Sequence, residues 1–398
     1  MGRENNPRYP QNTLFFFVDR HDETIGVGMV SYPIRVLLVE DSPVALTILK
    51  RIFASSPEVE VVGTARNGIE ALELIPQVNP QVICTDLHMP KMNGLELTQE
   101  VMARYPRPIL VISTSVQTED TQTAFQLLEA GALDLFPKPL AGLPSEYEQM
   151  KQDLITRIRV LAGVSVFTQH RSRSSAKPAP ATSYPDRANH QPAHFPTLAS
   201  AAPVPIGDIR LPRILAIGAS TGGPQVLYNL LSRLPANFPL PILCVQHISE
   251  GFLQGLVDWL NSGCALSVTI AQPGILPLPG TVYFAPERVH LEVNHQGRFT
   301  LVDTLPVDGH RPSVTVLFKS VATYYRRATI AVLLTGMGRD GAAGMQAIAQ
   351  MGGVTIAQDE ASCIVFGMPR EAIALGAAQH ILPATDIAPW LLKRLQPA

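Results

Sequence analysis

From residue 34 onward, short apolar blocks alternate with stretches in which apolar residues recur every three or four positions. The blocks 34–39, 59–62, 82–84, 109–112 and 132–136 have the length and composition of buried strands. Between them, 44–53, 69–75, 95–104 and 121–130 carry helical spacing, and 147–161 closes the series with a further amphipathic stretch. Such β/α alternation predicts a doubly wound parallel sheet for a first domain at 34–164.

Across 165–210 the periodicity lapses into Ser, Ala, Pro, His and Arg, the composition of a flexible linker. Strand-like blocks resume at 214–217, 242–245, 282–284, 330–334 and 354–356, with helical spacing at 225–234 and 342–351. These predict a second α/β domain over 211–398, and no internal repeat relates the two halves. The first 33 residues fit neither pattern and are expected to form a disordered extension. Met29 stands five residues before the first strand and is a second candidate start.

Composition narrows the function classes. Among 398 residues, 46% are hydrophobic and 16% charged, a globular balance. The net charge of −2 supplies no basic excess for phosphate backbones, so nucleic acid is not expected as a partner. Four scattered cysteines, without a CxxC pair, read as small hydrophobes in a reducing compartment. No apolar run approaches the ~18 residues of a membrane span, and 14–18 is too short for a signal-peptide core. A soluble cytoplasmic protein without membrane insertion is expected.

Chemistry concentrates at strand ends. Glu40 and Asp41 follow the first block, Asp86 the third, Ser113 the fourth and Lys138 the fifth. In a parallel sheet these ends face one crevice. Three crowded carboxylates need a cation, and an oxygen-only donor set suits Mg²⁺. Asp86 then reads as a nucleophile for a phosphoryl group, with Lys138 as its counter-charge and the Ser113 hydroxyl as its switching partner. A cis bond before Pro139 would aim Lys138. Any one acid alone is better explained as a cap or loop residue; five together are not. Val-Glu-Asp-Ser at 39–42, Asp-Leu-His-Met-Pro at 86–90, Asn-Gly at 93–94 and Lys-Pro at 138–139 closely resemble the response-regulator receiver family over 34–140. The resemblance implies a flavodoxin-like fold, Mg²⁺-dependent phosphorylation of Asp86, and a metal contact from the His88 backbone carbonyl. Leu135 stands where many receivers carry an aromatic switch residue.

In the second half, the block 214–217 runs into Gly-Ala-Ser-Thr-Gly at 218–222, then Gly223 and Pro224 open a helical stretch. This is G-x-S-x-G in a strand–turn–helix setting. Ser220 needs a base, and His247 follows the block 242–245 while Asp340 lies beyond 330–334. His247 can take the serine proton, and Asp340 can fix the imidazole tautomer. The chain order differs from the Ser, Asp/Glu, His order of α/β-hydrolases. Singly, each has a plainer role: a turn serine, a structural histidine, an aspartate capping a helix near Ala342.

Ile-Gly-Ala-Ser-Thr-Gly-Gly-Pro at 217–224, Gln-His at 246–247, Gly-His-Arg-Pro-Ser at 309–313, the glycine-rich segment 334–345 and the segment 358–370 strongly resemble the protein-glutamate methylesterase family of bacterial chemotaxis over 213–395. The resemblance implies a Rossmann-like domain with Ser220, His247 and Asp340 as triad and the backbone amides of Met337 and Thr221 as oxyanion donors. It implies hydrolysis of glutamate methyl esters on chemoreceptor cytoplasmic domains, releasing methanol, with glutamine deamidation as a companion activity. No cofactor is implied for that reaction, and a chemotaxis histidine kinase is implied as phosphodonor. Thr315 stands where relatives often have Asp. Cys363, beside Ile364 and Val365, reads as an inert thiol. His310 either touches substrate or packs in its loop.

Two rival classes are weaker. A dinucleotide-binding reductase would use Gly218 to Gly223 as a phosphate turn, but the G-x-G-x-x-G spacing is absent. A DNA-binding output module would need a basic recognition helix, and none is visible.

Overall fold

The structure is a computed structural model and describes residues 15–17, 26–28, 33–113, 118–139, 144–164, 166 and 212–396. Inside the stretch expected to be a disordered extension, β1 (Phe15–Phe17) and β2 (Gly26–Gly28) pair antiparallel. The rest of that stretch up to residue 32, Met29 included, and the expected linker at 165–210, Val166 apart, lie outside the described residues.

The first sheet holds β3 (Ile34–Val39), β4 (Val59–Ala65), β5 (Val82–Thr85), β6 (Ile109–Ser113) and β7 (Asp134–Pro137), all parallel, in the order β4-β3-β5-β6-β7. β5 and β6 are buried along their whole length, the burial that helices on both faces of a parallel sheet impose. Those helices are α1 (Pro43–Ala54), α2 (Gly68–Val78), α3 (Gly94–Arg104), α4 (Thr118–Glu129) and α5 (Pro144–Ala162). Ser42, Asn67 and Asn93 cap the first three through side-chain oxygens, and Asn93 with Glu96 forms a reciprocal capping box. The chain runs from β3 to β4 on one side, then crosses to β5 on the other. A crevice therefore opens beyond the carboxyl ends of β3 and β5. Glu40 and Asp86 stand there.

The second sheet has seven parallel strands in the order β10-β11-β9-β8-β14-β15-β16. They are β8 (Ile214–Ala219), β9 (Ile242–Gln246), β10 (Ser267–Ile270), β11 (Thr281–Phe284), β14 (Thr329–Leu333), β15 (Val354–Gln358) and β16 (His380–Leu382). An antiparallel hairpin, β12 (His290–Val293) with β13 (Phe299–Val302), precedes β14. Helices α6 (Gly223–Leu231), α7 (Leu253–Gly263), α8 (Val314–Tyr325), α9 (Ala342–Gln350), α10 (Met368–Ala374) and α11 (Ala384–Arg394) cover both faces. Winding reverses between β8 and β14, which places the second crevice beyond their carboxyl ends.

The halves meet through aromatic and polar contacts. Phe125 of α4 stacks on Trp259 of α7 at 5.4 Å, and Trp259 stacks on Tyr228 of α6 at 4.7 Å. The Gln225 amide donates to the backbone carbonyls of Leu128 and Ala132, at 3.3 and 2.5 Å. Among the described residues, no helix is long and apolar enough to cross a membrane.

Candidate active site and phosphorylation pocket

In the first crevice, Glu40 and Asp86 are buried at 1% and 5% exposure, while Asp41 is exposed. Lys138, delivered by β7, pairs with Glu40 Oε1 at 3.0 Å and Asp86 Oδ2 at 2.8 Å. The Leu87 amide donates to Asp86 Oδ1 at 2.7 Å. Gly94 packs so tightly that a Cβ there would stand 2.3 Å from the Asp86 carbonyl oxygen. Ser113 is buried at the end of β6, and its carbonyl accepts from the Lys138 amide at 2.8 Å. His88 is exposed just past Asp86. The Lys138–Pro139 bond is trans; the cis bond among the described residues is Arg311–Pro312.

Burial pushes the Glu40 and Asp86 carboxyls above their ordinary range, in Glu40 with help from the Asp86 charge and in both against the pull of Lys138. Burial works against the Lys138 cation too, but the Asp86 and Glu40 carboxylates outweigh it and raise its pKa. Glu40, Asp41 and Asp86 bring carboxylate oxygens within 4.8 Å of one another, and Glu40 Oε2 is buried without a hydrogen-bond partner. An orphaned buried oxygen in an all-carboxylate cluster fits a hard divalent cation such as Mg²⁺.

The second crevice brings together Ser220, His247 and Asp340. Ser220 follows β8 at 8% exposure, in a turn in which Gly222 adopts φ 75° as the N-cap of α6. Gly336 from the loop after β14 passes so close that a Cβ there would meet Ser220 Cβ at 2.6 Å. His247 follows β9, and its Nε2 lies 2.9 Å from Asp340 Oδ2. Its Nδ1 is buried without a hydrogen-bond partner. In chymotrypsin-type triads the nitrogen that faces the carboxylate is Nδ1; here it is Nε2.

Asp340, 1% exposed, is gripped from several sides. Its Oδ1 accepts from Ser313 Oγ at 2.7 Å, the Thr315 amide at 2.9 Å and the Gly341 amide at 2.8 Å. Its Oδ2 accepts from the Val314 amide at 2.7 Å besides His247. The carboxylate therefore caps α8 as well as facing the imidazole; the cap of α9 near Ala342 is Gly341, with no side-chain bond. Burial alone would raise its pKa, but His247, the Thr315 amide and Ser313 hold the carboxyl well below the usual range. Thr221 and Met337 line a cavity together with Ser220 and His247, and neither backbone amide donates a hydrogen bond within the described residues.

Residues 215–391 match the CheB methylesterase family, and residues 36–143 match the response regulator receiver domain. A protein-glutamate methylesterase/protein-glutamine glutaminase of Nitrosospira multiformis is 41% identical over 89% of this chain and 95% of its own length. A Geobacter metallireducens protein of the same name is 40% identical over 89% of this chain and 96% of its own. The chain belongs to the protein-glutamate methylesterase/protein-glutamine glutaminase family. The solved catalytic domain of Thermotoga maritima CheB methylesterase is 40% identical, covering 46% of this chain and 98% of that one, with a TM-score of 0.45.

Several residues of this methylesterase-family site were not among the sequence candidates. Gln246 Nε2 donates to the Ser220 and His247 carbonyls, both at 2.8 Å, and so clamps the serine turn to the histidine loop. Ser313 both caps α8 and donates to Asp340; a Ser directly before an apolar stretch is a readable cap signal. Thr315, the departure from the family pattern, is buried behind Asp340, where its hydroxyl accepts from the Gly341 amide at 2.8 Å. Its side chain is spent there and does not line the cavity. Burial, then the Asp359 charge, pushes the half-buried Cys363 thiol up to about 12, which keeps it protonated.

A cavity of about 650 Å³ lies over Ser220, His247 and Met337, and its far wall is α5 of the receiver half, through Asp153, Thr156, Arg157 and Val160. Arg157 is held over the Phe136 ring at 5.5 Å and ion-paired with Asp134. His310 also lines the cavity, and burial followed by the nearby His247 charge lowers its pKa from 6.5 to about 3. Between those values the unfolded chain binds the extra proton. The stability contribution is therefore complete above pH 6.5 and is lost as pH falls toward 3. Urea midpoints at pH 7 and pH 5 should differ less in His310→Phe than in the wild type; an unchanged gap would show that His310 titrates normally.

Proposed function

We propose that the chain is a phosphorylation-governed serine hydrolase that removes methyl esters from chemoreceptor glutamates, and ammonia from receptor glutamines, with a division at 34–164, 165–210 and 211–398. The observation that carries the reading is the convergence of Ser220 with a His247–Asp340 pair, at 2.9 Å, where the second sheet reverses its winding. In this reading His247 Nδ1 takes the Ser220 proton as Oγ attacks the ester carbonyl. The Met337 and Thr221 amides receive the oxyanion. His247 returns the proton to the departing methoxide, which leaves as methanol. Water, activated by the same nitrogen, then releases the glutamate.

Asp86 is the phosphate acceptor in this proposal, with the chemotaxis histidine kinase as donor. Glu40, Asp41, Asp86 and the His88 carbonyl would hold Mg²⁺, which when bound offsets the charge of the phosphoryl oxygens. Lys138 pairs with the phosphoryl group, and Ser113 turns toward it. The receiver inhibits by lying over the cavity, since α5 forms its far wall. The methylated receptor cytoplasmic domains place the enzyme in the cytoplasm, without nucleic acid and without insertion into the membrane.

A tenfold activation needs only about 1.4 kcal/mol of differential contact between the closed and open arrangements. The test is methanol release from methylated receptor membranes, with and without a small phosphodonor plus Mg²⁺. Turnover should rise about tenfold or more, and Asp86→Ala should abolish the response. Trp259, stacked on Phe125 of the receiver half, reports the motion. In a Trp390→Phe background its emission should shift to the red on phosphorylation. Equal responses in wild type and Asp86→Ala would sink the phospho-control.

A further inference from the structure

We infer that His310 is a positioning residue for the hydrolytic reaction, its ring stacked on His247 so that Nδ1 stays turned to Ser220; this rests on the hydrolase reading above. The two rings lie parallel within 6°, centroid to centroid at 3.7 Å. His247 needs such a support. Its ring makes one hydrogen bond, to Asp340, while Nδ1 has no partner. One bond sets a direction and leaves the ring plane free to swing about it. A misplacement of about 1 Å at a reacting group costs on the order of 10²-fold in rate, so the plane has to be held by something else.

His310 is itself fixed. Its backbone exchanges two hydrogen bonds with Val307, at 3.0 and 3.1 Å, closing a tight turn. In that turn Asp308 and Gly309 take φ 51° and 84°, and Arg339, the neighbour of Asp340, pairs with Asp308 at 2.8 Å. Three residues further on, Ser313 to Thr315 grip the Asp340 carboxylate. A single segment, 307–315, therefore braces the base through its ring face and the carboxylate through its donors.

Charge agrees with this assignment. The groups acting on His310 are His247, Asp340 and, from α5, Arg157. With a pKa near 3, His310 is neutral wherever a histidine base works, so protonation of His247 in the reaction meets an uncharged face. A flat ring is required and an imidazole is not, so phenylalanine should replace it.

The test uses the full chain with phosphodonor and Mg²⁺, and a fluorophosphonate that labels the serine irrespective of receptor identity. His310→Ala should lower kinact about 30- to 100-fold with KI within twofold of wild type. His310→Phe should stay within about threefold of wild type, and His310→Leu, bulky but not planar, should be nearly as slow as Ala. If the alanine variant does not fold, by circular dichroism and melting, the Leu and Phe pair decides. Wild-type kinact in Ala or Leu, or a Phe variant as slow as Ala, overturns the inference, as does a loss confined to KI. Failure of the wild type to label at Ser220 overturns the hydrolase reading along with it.

Discussion

Ser220→Ala is expected to bring methanol release down by about 10⁶-fold, to background, while the chain keeps its fold and Asp86 still accepts phosphate. The Oγ is the one atom lost. The turn around it is held by backbone: the Ser220 amide donates to Thr335 O at 3.0 Å, and the Ser220 carbonyl accepts from Gly223 at 2.7 Å and Gln246 at 2.8 Å. The Cβ that meets Gly336 is retained. Melting should therefore move little, within the half kcal/mol or so typical of substitutions that break no named contact. His247→Ala should cost about as much as Ser220→Ala, and the double variant no more, because nucleophile and base act as a unit. Methanol release, fluorophosphonate labelling and thermal melting on the three variants check this together. Near-wild-type turnover by purified Ser220→Ala would remove the serine from the mechanism.

The central strands were legible because parallel sheets bury both strand faces, so β5, β6, β8, β9 and β14 read as unbroken apolar runs. The edges were not. β10, Ser-Val-Thr-Ile, and β16, His-Ile-Leu, are partly exposed, and such short mixed runs carry no periodicity that separates them from loops. Helical spacing continues to residue 234, yet α6 ends at Leu231, where the Ser232, Arg233 and Leu234 amides turn back on Tyr228, Leu230 and Leu231. Strand order was beyond the pattern altogether, since pairing of β8 with β14 joins residues more than a hundred positions apart.

At the site, Ser220, His247 and Asp340 could be picked out because a parallel sheet delivers the ends of neighbouring strands to one edge. The same topology gathered Glu40, Asp86 and Lys138. Hidden from the sequence was everything set by the 307–315 segment: which nitrogen of His247 faces Asp340, the His310 stack, and the gripping donors of Ser313, Val314 and Thr315. The cap role of Asp340 was foreseeable in kind but not in place. It was expected at the helix just after it, and it falls on α8, which precedes it in the chain.

Asp340→Asn should cut turnover by about 10⁴-fold and also lower the melting temperature by several degrees. The carboxylate accepts bonds on both oxygens: Ser313 Oγ, Thr315 N and Gly341 N on Oδ1, Val314 N and His247 Nε2 on Oδ2. Asparagine has one acceptor oxygen. If that oxygen takes the Oδ1 position, the NH₂ group faces the Val314 N–H, and a buried donor is left unpaired at about 1–3 kcal/mol. The NH₂ also donates to His247 Nε2, which drives the ring proton to Nδ1, the atom that accepts from Ser220 in the proposed reaction. The flipped amide is worse, because its NH₂ would face the Thr315 and Gly341 amides. Loss of the charge adds to this: the depressed Asp340 pKa contributes stability that is complete above the ordinary carboxylate range and lost only as pH falls through its own low value. Kinetics and melting on this one variant separate the roles. A lower melting temperature with unchanged turnover would reduce Asp340 to a cap of α8, and unchanged values of both would refute the five-bond geometry itself.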